Sequence, residues 1–289
     1  MNDGTEATAG LLMELESRAR REDVSLAAGR VCWRAWGSGP TLVLLHGGHG
    51  SWRHWVRNID ALASRHTLWV PDMPGYGDSD GPACAPHDPD RLALLVRMLA
   101  DSLHALLGAQ YEIGLAGFSF GGLVAARLAF HVAPSFGRVR RLALLGPGGH
   151  AGPRRQRIDM IEWRGLNDAA RQGALRHNLA AFMLHDARSI DALALRVHEA
   201  SVQRTRFRSK ALSRQPLLIE ALQALDLPVL AIWGEHDVTA VPELAAQAVL
   251  QRRPQREARI VAAAGHWVQY ERPEVVTPWL DGWFGAAPC

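Results

Sequence analysis

Cysteine is scarce in this 289-residue chain. Its three copies, Cys32, Cys84 and Cys289, are odd in number and scattered. They describe neither a disulfide framework nor the paired spacing of a zinc site. Three such thiols suit a reducing, cytoplasmic setting, and each reads as a structural residue before a nucleophile. Long apolar runs are missing as well. No stretch of 18 uninterrupted apolar residues occurs, so the sequence offers no transmembrane helix. Residues 1–21 are polar and lack an apolar h-region, which argues against a secretion signal. There is no internal repeat and no low-complexity tract. No motif interleaves aromatic with basic residues, so neither nucleic acid nor a membrane is expected as a partner.

What is present describes an ordinary globular protein, 48% hydrophobic and 21% charged. The length allows one large α/β domain with an insertion. Net charge is only +3, but it is uneven: residues 151–215 hold 12 arginines and one lysine against six acids. Two readings follow, a solvated arginine-rich helical surface or a site for an acidic substrate or partner. The first is the simpler. The sequence leaves a homo-oligomer open.

Along the chain, residues 1–22 read as a frayed helical extension with little core. Residues 24–28 and 31–36 read as a hairpin turning at Gly29-Arg30. Thr41-Leu42-Val43-Leu44-Leu45 is a continuous apolar strand of the kind buried on both faces of a parallel sheet. A glycine-rich turn follows it, then a helix over 51–62, a strand over 67–71 and a fixed loop over 72–80. A helix over 90–107 precedes a strand over 111–116, a helix over 123–130 and a strand over 140–145. Residues 150–225 carry helical spacing throughout. The strand rhythm then resumes over 228–233 and 258–261, with helices over 242–251 and 273–284. The pattern is an α/β sheet interrupted once, after its sixth strand: a core of 23–149 and 226–289 around an insertion of 150–225.

The chain is organised around Gly117-Phe118-Ser119-Phe120-Gly121, set between a strand and a helix. A serine on so tight a turn has its hydroxyl pushed above the sheet edge, and flanking glycines let strand and helix approach. The helix N-terminus behind it offers free N–H groups to a developing oxyanion. A serine nucleophile needs a base, and the base needs an orienting group. In a parallel sheet both belong at the C-terminal ends of strands. The strand over 228–233 runs into Gly234-Glu235-His236-Asp237, and the strand over 258–261 runs through Gly265 into His266. Asp237 is therefore the candidate acid, with Glu235 as its alternative, and His266 the candidate base. Each has a plainer reading: Ser119 as a turn residue, Asp237 as a helix cap, His266 as one core histidine among 13. The order Ser…Asp…His at these positions favours catalysis. Backbone N–H groups of Gly48 and Phe120 are the candidate oxyanion donors. His46 reads as a brace for its loop, and Asp72, Gly75 and Gly77 as structural.

With those residues in place the sequence resembles the α/β-hydrolase superfamily. The matching pieces are His46-Gly47-Gly48, Asp72-x-Pro74-Gly75-x-Gly77-x-Ser79, Gly117-x-Ser119-x-Gly121-Gly122, Gly234-x-x-Asp237 and Gly265-His266. They span residues 24–284 in the family's order. The resemblance implies an eight-stranded, mostly parallel sheet flanked by helices, an inserted helical cap over 150–225, and a cofactor-free, metal-free hydrolase. It excludes dehalogenases and epoxide hydrolases of this fold, which use Asp where this chain has Ser119. The run Gly265-His266-Trp267-Val268-Gln269-Tyr270-Glu271 is similar to the meta-cleavage-product hydrolases, which cut a C–C bond beside a carbonyl in vinylogous diketo acids. That likeness implies a cap arginine for the substrate carboxylate, here Arg196, and a pocket-lining Trp267. Phe118 stands where that subfamily has Asn, and His49 follows Gly48 in a loop that differs from theirs. Both become candidate substrate contacts. The expected substrate is a small-molecule carbonyl compound. A small or medium carboxylic ester leads, and a diketo acid comes second. A perhydrolase and a ligand receptor without turnover remain readings of the same triad.

Overall fold

The structure, a computed structural model, describes residues 3–132, 137–155 and 159–285; Cys289 lies outside them. Eight strands form one sheet: β1 (Arg20–Leu26), β2 (Gly29–Trp36), β3 (Thr41–Leu45), β4 (Thr67–Pro71), β5 (Tyr111–Phe118), β6 (Gly137–Leu145), β7 (Val229–Gly234) and β8 (Arg256–Val261). Their spatial order is β1-β2-β4-β3-β5-β6-β7-β8. The β1–β2 and β2–β4 pairings are antiparallel and the rest parallel. The expected sheet is present.

Apolar runs in the central strands produce this sheet because both of its faces are covered. Leu42 and Leu44 enter one core layer and Val43 and Leu45 the other. In β7, Leu230 and Ile232 likewise face away from Val229, Ala231 and Trp233. Each fully buried Leu or Ile is worth roughly 1.5–3 kcal/mol, and in these strands both sets of alternate residues contribute. On one face lie α3 (Arg91–Leu107), α4 (Phe120–Val132) and α8 (Pro242–Leu250); on the other lies α10 (Pro273–Gly285).

The N-terminal segment differs from expectation. Helix α1 (Asp3–Ser17) buries Leu12 and Leu15, and the Trp36 indole N–H donates to the Leu15 carbonyl at 2.9 Å. Strand β1 begins at Arg20, inside the expected extension, and pairs with β2 from Gly29 to Ala35. The ties come from distant Trp36 and Arg34, so local periodicity could not announce them. The expected helix over 51–62 is a short 3₁₀ turn, Trp52–Trp55, followed by α2 (Ile59–Ala63). Long-range bonds divide it: Trp52 N–H donates to Asp72, and the Asn58 amide donates to the Gln269 carbonyl and to Thr277.

The insertion between β6 and β7 carries α5 (Asp168–Phe182), α6 (Ala192–Gln203) and α7 (Leu217–Gln223). Its first part is not helical as expected; the described residues from 146 to 167 are irregular. Gly146, Pro147, Gly148, Gly149, Gly152 and Pro153 crowd that stretch, and its backbone makes no helical ladder. Gly146 N–H donates to the Ile232 carbonyl and Gly148 N–H to the Ser119 carbonyl in the core, Gly149 N–H to the Ser213 carbonyl further along the insertion. The short helix α9 (Val268–Glu271) follows β8 and leads into α10.

Candidate active site

Strand β5 delivers Ser119 and α4 leaves directly after it. Ser119 has φ +54°, a left-handed backbone that a non-glycine residue adopts only under constraint. Three bonds supply that constraint: Ser119 N–H to the Leu145 carbonyl at 2.8 Å, and Gly122 and Gly148 N–H to the Ser119 carbonyl, each at 2.9 Å. A side chain at Gly117 would strike the Gly121 carbonyl, and one at Gly121 would strike the His46 carbonyl. Glycine is obligatory there because strand, helix and the loop after β3 meet backbone to backbone.

The structure brings Ser119, His266 and Asp237 into one hydrogen-bonded chain. His266 Nε2 lies 2.9 Å from Ser119 Oγ, and Nδ1 lies 2.8 Å from Asp237 Oδ2. Asp237 is fully buried. Burial would raise its pKa, but His266 and the two donors of Thr239 outweigh that and hold it below the ordinary carboxylate value. An ionised Asp237 can only accept, so Nδ1 carries the proton and Nε2 is free to accept from the Ser119 hydroxyl. Glu235, the alternative acid, instead faces the surface and accepts the Ala263 N–H at 2.9 Å.

Phe120 opens α4, so its N–H has no acceptor within the helix. Gly48 faces it: a Cβ on Gly48 would lie 3.6 Å from the Phe120 Cβ and 2.5 Å from Ser209 Oγ. Sequence reasoning did not single out Ser209, which the insertion carries. His46 braces the loop, with Nδ1 to the Gly47 carbonyl at 2.7 Å and Nε2 accepting from Met73 N–H at 2.9 Å. Burial lowers its pKa to about 4, against the pull of Asp72. His54, also missed, accepts the Gly47 N–H at 3.2 Å. Burial, then the nearby His46, His198, His266 and His49, keep its pKa well below the ordinary value. The signal for it was a histidine inside Ser51-Trp52-Arg53-His54-Trp55, an aromatic stretch with little reason to be polar.

The substrate candidates divide. Phe118 is buried, its ring 5.0 Å from that of His266 and 5.4 Å from that of His54. His49 sits at the rim with φ +56°; desolvation, Arg164 and Lys210 lower its pKa. Trp267 is fully buried beneath the site, where it stacks on Tyr270 and donates its indole N–H to the His54 carbonyl at 3.0 Å. It supports His54 there. Arg196, the expected cap arginine, is exposed on α6, off the stripe of Leu193, Ala194, Val197, His198 and Ser201 that packs inward. The helical period that buries Val197 and His198 turns Arg196 to water.

The insertion approaches the site through other residues. His198 is buried with its pKa lowered to about 4 by burial and by His49. Ser201 bonds Ser51 at 3.0 Å, and the Phe182 ring stands edge-on to His266 at 5.5 Å. A cavity of about 150 Å³ is lined by His150, Ala151, Gly152, Arg154, Ser213 and Arg214. Among the described residues no group of three or more His, Cys, Asp or Glu could hold a metal ion. None of the described helices is long and apolar enough to cross a membrane. Cys32 is buried and Cys84 half-buried, both as free thiols, and burial pushes the Cys32 thiol up to about 12.

Comparison with known proteins points the same way. A model of the alpha/beta hydrolase fold matches residues 40–273. The 2-hydroxy-6-oxononadienedioate/2-hydroxy-6-oxononatrienedioate hydrolase of Paraburkholderia phymatum is 29% identical over 264 residues, covering 85% of this chain and 87% of its own. The pimeloyl-[acyl-carrier protein] methyl ester esterase of Vibrio parahaemolyticus is 27% identical over 250 residues, covering 81% and 90%. In structure, the meta-cleavage product hydrolase of Pseudomonas fluorescens superposes with a TM-score of 0.72 at 21% identity, covering 91% of this chain and 97% of the other.

Proposed function

The chain belongs to the alpha/beta hydrolase fold family, and from that premise we propose that it is a serine hydrolase of carboxylic esters. The observation that carries the reading is the Ser119–His266–Asp237 chain, with contacts of 2.9 and 2.8 Å among residues far apart in sequence. Ser119 Oγ attacks the ester carbonyl while His266 Nε2 takes its proton. Gly48 and Phe120 N–H groups receive the oxyanion. Imidazolium then protonates the leaving alcohol, and a water activated by His266 releases the acid. Asp237 holds the tautomer and stabilises the imidazolium. Residues 150–225 act as a cap, a role supported by the approach of Phe182, His198, Ser201 and Ser209.

Ester hydrolysis leads because Arg196, the anion contact expected for a diketo acid, faces water. The test is turnover of p-nitrophenyl butyrate by wild type and Ser119→Ala, with the melting temperature of both. Loss on the order of 10⁴-fold or more with an unchanged melting temperature is expected; comparable rates would sink the reading. The relatives that hydrolyse C–C bonds favour a second reading. A catechol ring-fission product, turned over faster than the ester by wild type, would put it first.

A further inference from the structure

One oxygen of the Asp237 carboxylate faces His266; the other is held entirely by a residue outside the Ser119–His266–Asp237 chain. Thr239 N–H and Thr239 Oγ1 both donate to Asp237 Oδ1, each at 2.7 Å. The same Oγ1 lies 3.2 Å from His266 Nδ1, close enough to share the Nδ1 proton that Asp237 Oδ2 accepts at 2.8 Å. Thr239 is buried. A carboxylate terminal torsion is broad and roughly two-fold, so a buried Asp touching only a histidine could swing out of line with it. Two donors from one residue on the far oxygen remove that freedom.

Thr239 is itself fixed from the beginning of the insertion. The His150 ring lies against the Thr239 backbone, and its Nδ1 accepts the Gly152 N–H at 2.9 Å. Val241 N–H donates to the Pro153 carbonyl at 3.0 Å, and the Arg155 guanidinium donates to the Glu235 carbonyl. Residues 150–155 thus lie as a strap across the loop that carries the acid.

We propose that Thr239, held by this strap, is a positioning residue that sets the Asp237 carboxylate for His266. The proposal rests on reading Ser119, His266 and Asp237 as the reacting relay. It makes the beginning of the insertion part of the acid's support as well as part of the cover.

The experiment measures kcat and KM on p-nitrophenyl butyrate for wild type, Ser119→Ala and three variants of Thr239, with the melting temperature of each. Thr239→Val keeps the shape and the N–H but loses the hydroxyl; Thr239→Ala keeps the N–H and loses both the hydroxyl and the methyl; Thr239→Ser keeps the hydroxyl. The expected result is kcat about tenfold lower for Val and Ala, KM unchanged, and recovery with Ser. A packing role alone would lower the melting temperature without a selective loss of kcat in folded protein. Serine-dependent activity that both Val and Ala leave at the wild-type kcat overturns the proposal alone. Equal rates for wild type and Ser119→Ala overturn the relay, and the proposal with it.

Discussion

Ser119, Asp237 and His266 follow β5, β7 and β8, and Asp237 and His266 are buried with partners at 2.8 and 2.9 Å. The charged residues of the insertion are arranged quite differently. Arg188 pairs with Asp186, Arg164 with Glu162 and Arg171 with Asp168, all within three residues in sequence and each with at least one exposed partner. Water screens such pairs, so they hold their own segment together and specify little beyond it. Two kinds of contact join the insertion to the core. There are charged ties such as Asp191 to Arg57 at 2.5 Å and Arg204 to Asp78 at 2.7 Å. Beside the site the contacts are neutral: Ser201 to Ser51, Ser209 against Gly48, and Phe207 between Tyr76 and Phe120. The hydrogen-bonded chain stands on loops that follow strands, and next to it the insertion presents neutral side chains while its charged ties lie further out.

The largest challenge to that division comes where the two regions touch. A methyl group on Gly48 would meet Ser209 Oγ at 2.5 Å, so Gly48→Ala should push the loop after β3 away from Phe120. Displacing one oxyanion donor costs on the order of 10²–10³ in kcat, and a loss of that size is expected here. Adding Ser209→Ala should restore part of it, because the obstructing atom is gone. Gly48→Ala with undiminished kcat would show that the insertion does not set this loop.

The core was legible because its signals are local. An apolar run such as residues 41–45, bounded by Pro40 and the glycines after His46, reads as a strand buried on both faces, and Gly117-x-Ser119-x-Gly121 reads as a tight turn between strand and helix. Asp237 and His266 could be read from their places after strands. Arg196 could not. Helical spacing shows which positions share a face but not which face a neighbour covers, and α6 buries the stripe through Val197 and His198. Trp267 was noticed for its place after His266, yet its use as a prop for His54 depends on a carbonyl 213 residues away. Ser209 meets Gly48 across a long stretch of chain with no sequence pattern to announce it. Thr239 stands two residues after the Asp237 it holds and His54 seven after Gly47, spacings too common to single either out.

A smaller effect comes from histidines in both regions. His46 in the core and His198 in the insertion each have a pKa lowered from 6.5 to about 4, chiefly by burial. The unfolded chain therefore binds their protons first, and stability falls as pH drops from about 6.5 towards 4. Carboxylates held low, Asp237 and Asp78 among them, contribute at the acid end, below their ordinary value of 3.8. Melting temperature followed from pH 7 to 4.5 should decline, and His198→Gln should make that decline shallower by about one proton's share. An unchanged slope would mean that α6 releases His198 to water without disturbing the core, and would sharpen the separation between the two regions.

The smallest expected effect is the most discriminating for the substrate. Arg196 is exposed and off the inward stripe of α6, so Arg196→Ala removes a solvated charge and nothing else. Surface changes of this kind usually stay within about 0.5 kcal/mol. Turnover and KM should therefore stay within roughly twofold of wild type, for esters with or without a distal carboxylate. A KM raised tenfold for the carboxylate-bearing ester alone would require α6 to rotate when substrate binds, bringing Arg196 inward at the expense of Val197 and His198. The insertion would then read charge as well as shape, and the diketo-acid reading would overtake the ester.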